Sequence, residues 1–111
     1  MILIIEPDGT TIKIKQTEPP TYQQLCEWIG TRVVENVRVF YKEKYETMFV
    51  DESGAVNGLP CNQIATDIYL ENTRVHDPER FLKIKATACV CGTAVLVTEH
   101  HNEDSYYLRK L

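Results

Sequence analysis

The stretch Thr21-Tyr22-Gln23-Gln24-Leu25-Cys26-Glu27-Trp28-Ile29-Gly30-Thr31-Arg32-Val33-Val34-Glu35-Asn36-Val37-Arg38-Val39-Phe40-Tyr41 changes its hydrophobic period part-way along. In its first part Leu25, Trp28 and Ile29 recur at the three- and four-residue spacing of one helical face. Thr21 followed by Gln24 fits a capping box, in which each side chain satisfies the other's backbone N–H. Gly30 suits the left-handed residue that ends a helix. The spacing therefore predicts a helix over about Tyr22 to Ile29, with Trp28 buried between it and a sheet. From Thr31 the period becomes two: Val33, Val37, Val39 and Tyr41 point one way, and Arg32, Asn36, Arg38 and Phe40 the other. A short helix followed by an alternating strand makes the chain α+β.

Outward from there, the pattern fills in. Ile2 to Glu6 is a solid apolar run, as expected of a strand buried on both faces. Pro7-Asp8-Gly9 is a turn, and Thr10 to Lys15 alternates, so the N-terminus reads as a β-hairpin. Pro19-Pro20 stops that second strand. On the C-terminal side, Lys42-Glu43-Lys44 is a charged turn, Tyr45 to Val50 is a strand, and Asp51-Glu52-Ser53-Gly54 closes it. A loop, Asn57-Gly58-Leu59-Pro60, leads to a second helix from near Asn62 to about Glu71, with Ile64, Ala65, Ile68 and Tyr69 on its apolar face. Phe81 to Ala86 fits an edge strand or a short helix. Ala94 to Thr98 reads as a central strand, and Tyr106 to Lys110 as a last short element. The expected order is ββαββαβ: a single two-layer domain over residues 1–111, an antiparallel or mixed sheet with two helices packed on one side.

Composition bounds the function. With 111 residues there is room for one domain. A net charge of -4 argues against coating nucleic acid or an anionic membrane, which needs a concentrated positive field. Four cysteines are too few for a disulfide scaffold at this length. The run Ile2 to Ile5 is too short for a signal-peptide core and ends at an acid. No stretch reaches the roughly 20 apolar residues of a membrane span. The expectation is a cytoplasmic protein with free thiols.

The central block reads Asp51-Glu52-Ser53-Gly54-Ala55-Val56-Asn57-Gly58-Leu59-Pro60-Cys61-Asn62-Gln63-Ile64-Ala65-Thr66. It resembles a phage- and plasmid-borne family of small proteins of unknown function, whose members carry Asp-Glu-x-Gly, then Gly-Leu-Pro-x-Asn, then Ala-Thr on a helix. Glu6-Pro7-Asp8-Gly9 is similar to that family's N-terminal turn. Trp28 to Glu35 is similar to its Val-Gly-Gly-x-Ile-Glu segment, and Val90 to Val97 to its closing Val-Gly-Asp-x-Val-Leu strand. Thr31 stands where the second glycine is usual, Thr93 where an aspartate is usual, and Arg74 to Ala88 is extra length. The resemblance implies provenance: an accessory protein of a virus or mobile element, in a host cell's cytoplasm.

Five residues of this block are candidate ligand contacts: Asp51, Glu52, Gly58, Asn62 and Thr66. Adjacent carboxylates can bind a cation or a ligand's hydroxyls; the competing reading is an Asx turn beside a solvated acid. Asn62 and Thr66 lie four apart at a helix N-terminus, whose free N–H groups suit anions. The competing reading is that Asn62 is the N-cap and Thr66 packs inward. Gly58 would give a ligand clearance. Cys89, Cys91, His100 and His101 offer four soft ligands, but structural zinc sites usually space cysteines by two to four residues, so no metal is expected. Cys61 at a helix start has no identifiable base, and Cys26 beside Trp28 reads as packing.

Lys13, Lys15, Arg32 and Arg38, with Phe40, Tyr41 and Tyr45, offer a basic face with stacking surface, interleaved with Glu35, Glu43 and Glu46. No nucleophile–base pair is visible, so no enzyme and no cofactor is expected. The leading expectation is a non-enzymatic phage or mobile-element protein that binds a host protein or a small anionic ligand, in counter-defence or host takeover. A nucleic-acid-associated module using the basic face is the first alternative and a small enzyme the second. Exposed strand edges lead to the expectation of a homodimer.

Overall fold

A computed structural model describes residues 1–98. The strands are β1 (Ile2–Ile5), β2 (Thr11–Ile14), β3 (Val34–Tyr41), β4 (Lys44–Asp51) and β5 (Ala94–Val97). The helices are α1 (Tyr22–Ile29), α2 (Gln63–His76) and α3 (Pro78–Ile84). The strands form one sheet in the order β2-β1-β5-β4-β3, antiparallel throughout. The α+β class stands, and its sheet is antiparallel rather than mixed.

Both hairpins follow from their turns. Gly9 takes a φ of 93°, a left-handed value that glycine adopts without cost. The Asp8 carboxylate accepts from Thr10 N at 2.8 Å. That hydrogen bond holds its pKa below the ordinary aspartate value. Between β3 and β4, Lys42 and Glu43 take φ of 49° and 66°. These positive values are the ones a tight two-residue hairpin needs to match strand twist.

β5 is central, and its four residues Ala94, Val95, Leu96 and Val97 are all buried. Successive side chains point to opposite faces of the sheet, and each face has its own helix. Val95, Val97, Ile2, Ile4 and Phe49 pack against Leu25 and Ile29 of α1. Ala94, Leu96, Ile5, Val39, Met48 and Val50 pack against Ala65 and Ile68 of α2. The helices therefore cover both faces, where the sequence reading placed them on one side. The apolar runs of β1 and β5 explain this division. A strand without a polar face has to be covered twice.

Other expectations shift in detail. The capping box forms: Thr21 Oγ1 accepts from Gln24 N, and Gln24 Oε1 accepts from Thr21 N. Trp28, however, is only half-buried at the rim of its cluster, while Leu25 and Ile29 fill the interior. β3 begins at Val34, and Val33 lies exposed before it. α2 runs on to His76, past the expected end near Glu71. Asp77 then caps α3, its carboxylate accepting from Arg80 N at 3.1 Å. The segment around Phe81 is thus helix rather than edge strand. The element expected over Tyr106 to Lys110 lies outside the described residues. Among the described residues, no helix is long and apolar enough to cross a membrane.

The two-faced core makes a direct prediction. Met48 and Phe49 are sequence neighbours buried on opposite faces. Met48→Ala should cost about 2–5 kcal/mol and Phe49→Ala about 3–5 kcal/mol in urea unfolding. A near-neutral result for either would mean that its face is not packed.

Candidate functional site

The block around Gly58 folds as a loop whose two ends are tied down. At its start, Asp51 is buried at the end of β4, and its carboxylate accepts from Ser53 N at 2.9 Å. Glu52 N donates to Val33 O at 3.0 Å while the Glu52 side chain is exposed. The chain then coils on itself: Asn57 N donates to Ser53 O at 2.9 Å, and Leu59 N to Gly54 O at 3.0 Å. Gly58 has a φ of 70° and open space where a Cβ would stand. Its glycine serves the backbone turn. Val56 at the tip is 88% exposed.

The far end is held by Asn62, which is 0% exposed. Its Oδ1 accepts from Ala65 N at 3.1 Å, capping α2. Its Nδ2 donates to Ile5 O and to Gly92 O, each at 2.9 Å. One amide thus joins the start of α2, the end of β1 and the approach to β5. Its backbone takes part as well: Asn62 N donates to Val90 O at 2.7 Å. Thr66, 2% exposed, completes the arrangement. Its hydroxyl donates to Asn62 O at 2.7 Å and accepts from Val90 N at 2.8 Å.

The approach to β5 is built to receive this. Cys61 and Cys91 form an isolated antiparallel bridge, and Gly92 N donates to Pro60 O at 2.8 Å. A Cβ on Gly54 would collide with the Cys91 carbonyl. A Cβ on Gly92 would sit 2.9 Å from Leu59 Cδ1, and Gly92 takes a φ of 91° besides. Two glycines therefore permit the close approach of residues 54–62 and 90–92.

Of the five candidate contacts, then, Asn62 and Thr66 come together, but with their polar groups engaged by the chain. Asp51 serves its own turn. Glu52 and Gly58 are exposed. An open cleft of about 520 Å³ lies elsewhere, between β2 and α1, lined by Lys15, Gln16, Glu18, Thr21 and Gln24. The sequence reading missed the role of Gly54, Gly92 and Val90, which only the fold brings opposite the block.

The cysteines also differ from expectation. Cys61 and Cys89 are joined in a disulfide, leaving Cys26 and Cys91 as free thiols. The bridge between Cys61 and Cys91 explains this, because it brings the Cys-Val-Cys segment alongside the start of α2. His100 and His101, the other two candidate metal ligands, lie outside the described residues. Among the described residues no group of three or more His, Cys, Asp or Glu is arranged to hold a metal ion.

The basic face is divided. Lys13 lies on β2 and Arg38 on β3, the two opposite edges of the sheet. Arg38 instead sits 4.8 Å over the Tyr45 ring. Tyr45 packs edge-on against Phe40 and tilted against His76, each at 5.2 Å between ring centroids.

No protein-family model, curated protein or solved structure matches this chain.

The tie between the two segments can be tested without touching Asn62. Thr66→Val keeps the shape but removes the acceptor for Val90 N, and should cost about 1–3 kcal/mol. Gly54→Ala should destabilise by a similar amount because backbone, not a side chain, blocks its Cβ. Thermal melts of both variants check this. Unchanged melting temperatures would mean that the two segments are not held together as described.

Proposed function

We propose that this chain is a non-enzymatic accessory protein of a phage or mobile element that binds a host protein through the loop over residues 52–60. The observation that carries the reading is the contrast between the loop's anchors and its tip. Both ends are fixed by polar contacts of the buried residues Asp51 and Asn62, while Glu52, Val56 and Gly58 face solvent. Loops held by a rigid scaffold are where binding residues concentrate. A pre-ordered loop also loses less conformational entropy on association.

The protein arm of the reading is favoured over the small-anion arm. The Asn62 side chain, a candidate ligand contact, is spent on Ile5, Ala65 and Gly92 instead. The provenance rests on the resemblance to the phage- and plasmid-borne family, and the host cytoplasm, counter-defence and host takeover follow from it. The homodimer remains part of the proposal: β3 and β2 each end the sheet with an open edge among the described residues. A second reading, a nucleic-acid-associated module, is supported by the Arg38–Tyr45–Phe40 cluster. The separation of Lys13 from Arg38 across the sheet weighs against it.

The test compares the wild type with a Glu52→Lys, Val56→Asp double variant. Melting temperature should stay nearly unchanged, since both side chains are exposed. The variant should lose the effect that the wild type has on host growth when expressed there. Phosphate should raise the melting temperature of neither protein, and single-stranded DNA should bind neither at physiological salt. Full effect from the double variant would defeat the loop reading. A phosphate-induced shift would restore the anion, and salt-dependent DNA binding the second reading.

A further inference from the structure

Three of the four cysteines meet at one place, the joint between α2 and the approach to β5. Cys61 precedes the cap of α2 and is bonded to Cys89 across 28 residues of sequence. The free Cys91 thiol lies 3.6 Å from the Cys89 sulfur. Cys61 and Cys89 are exposed and Cys91 half-exposed. An exposed disulfide with a thiol in contact is the arrangement that thiol–disulfide exchange requires. The positive end of the α2 dipole, in turn, favours negative charge on a sulfur at Cys61.

We propose that Cys61, Cys89 and Cys91 form an exchange relay in which the disulfide moves between Cys61–Cys89 and Cys89–Cys91. Cys91 gives its proton to solvent, and its thiolate attacks Cys89 Sγ. The Cys89–Cys91 bond forms as the Cys61–Cys89 bond breaks. Cys61 leaves with the bonding pair as a thiolate and takes a proton from solvent. One disulfide and one thiol stand on each side, so no oxidant or reductant is consumed. The two states differ in what they tie. Cys61–Cys89 staples the start of α2 to the approach to β5, whereas Cys89–Cys91 is a local ring that leaves that joint to the hydrogen bonds of Asn62 and Thr66. The relay is thus a staple beside the 52–60 loop that opens by thiol–disulfide exchange, and it stands whether or not that loop binds a partner.

The experiment uses the full chain in a Cys26→Ser background, incubated without reductant in the presence of iodoacetamide, then digested with trypsin. The Cys61–Cys89 state joins the peptides over residues 45–74 and 86–109. The Cys89–Cys91 state leaves 86–109 alone, two hydrogens lighter than its reduced form. With time the Cys26→Ser protein should accumulate this looped peptide together with label on Cys61, at a rate independent of protein concentration. Adding Cys91→Ser should abolish both. Amide protection over residues 52–62 should fall as the looped form accumulates. If that variant does not fold, Cys61→Ser provides the second arm. Oxidised glutathione should draw its Cys89 and Cys91 into the looped peptide, releasing two equivalents of reduced glutathione. Several results would overturn the proposal: label confined to Cys91 with Cys61–Cys89 intact, no looped peptide from Cys61→Ser, or simultaneous labelling of all three thiols that appears only with a chelator. The last would assign the cluster to a metal ion.

Discussion

The carboxamide of Asn62 is the contact on which the remaining structure depends. A helix start, a strand end and the backbone before a second strand all direct polar groups at one buried point. Two are carbonyls and one is an N–H, and a carboxamide offers both donors and an acceptor in one planar group. With Asn62 in place, Ile5 O, Gly92 O and Ala65 N are all satisfied. A buried backbone group left without a partner costs about 1–3 kcal/mol. The same contact fixes how α2 enters its face of the sheet and how far residues 90–92 sit from the loop. Thr66 extends it by one helical turn, and the two glycines, Gly54 and Gly92, make the approach sterically possible.

Much of this architecture was legible in the sequence because it rests on local signals. The hairpin turn at Pro7-Asp8-Gly9, the capping box at Thr21 and Gln24, and the alternation from Thr31 onward are short-range features; the first two elements form where the pattern put them, and the strand starts three residues late, at Val34. The division of the helices between two faces was less legible. Alternation shows that a strand has two faces, but β1 and β5 are apolar on both, and nothing local says which helix takes which. Trp28 shows a related limit: helical spacing places it on the inward side, yet it packs only partly buried against its cluster. The extra helix α3 depends on Asp77 capping a segment whose apolar residues pack little, so its periodicity was weak.

The candidate site was legible in position but not in orientation. The sequence brought out both readings of Asn62, as cap and as ligand contact. Its third role, donating to Ile5 and Gly92, spans 57 and 30 residues of chain and leaves no local trace. The disulfide is of the same kind. Cys-Val-Cys near the end and Cys61 before a helix look unrelated until the bridge between Cys61 and Cys91 brings them into register. The tip of the 52–60 loop and the three sulfurs, two of them on exposed cysteines, are accordingly where the proposals for binding and for disulfide exchange are placed.

The most direct test of the account is the equilibrium unfolding of Asn62→Asp. Aspartate is nearly the same size and caps a helix N-terminus as well as asparagine. It cannot, however, donate to Ile5 O and Gly92 O, and would set a carboxylate oxygen against both. If the amide holds the fold together, the variant should lose about 2–6 kcal/mol at neutral pH, from two lost buried hydrogen bonds and a carboxylate oxygen set against both carbonyls. It should recover part of that loss at acidic pH, where the protonated carboxyl can donate once more. A variant as stable as the wild type at neutral pH would contradict the account, and would reduce Asn62 to a helix cap.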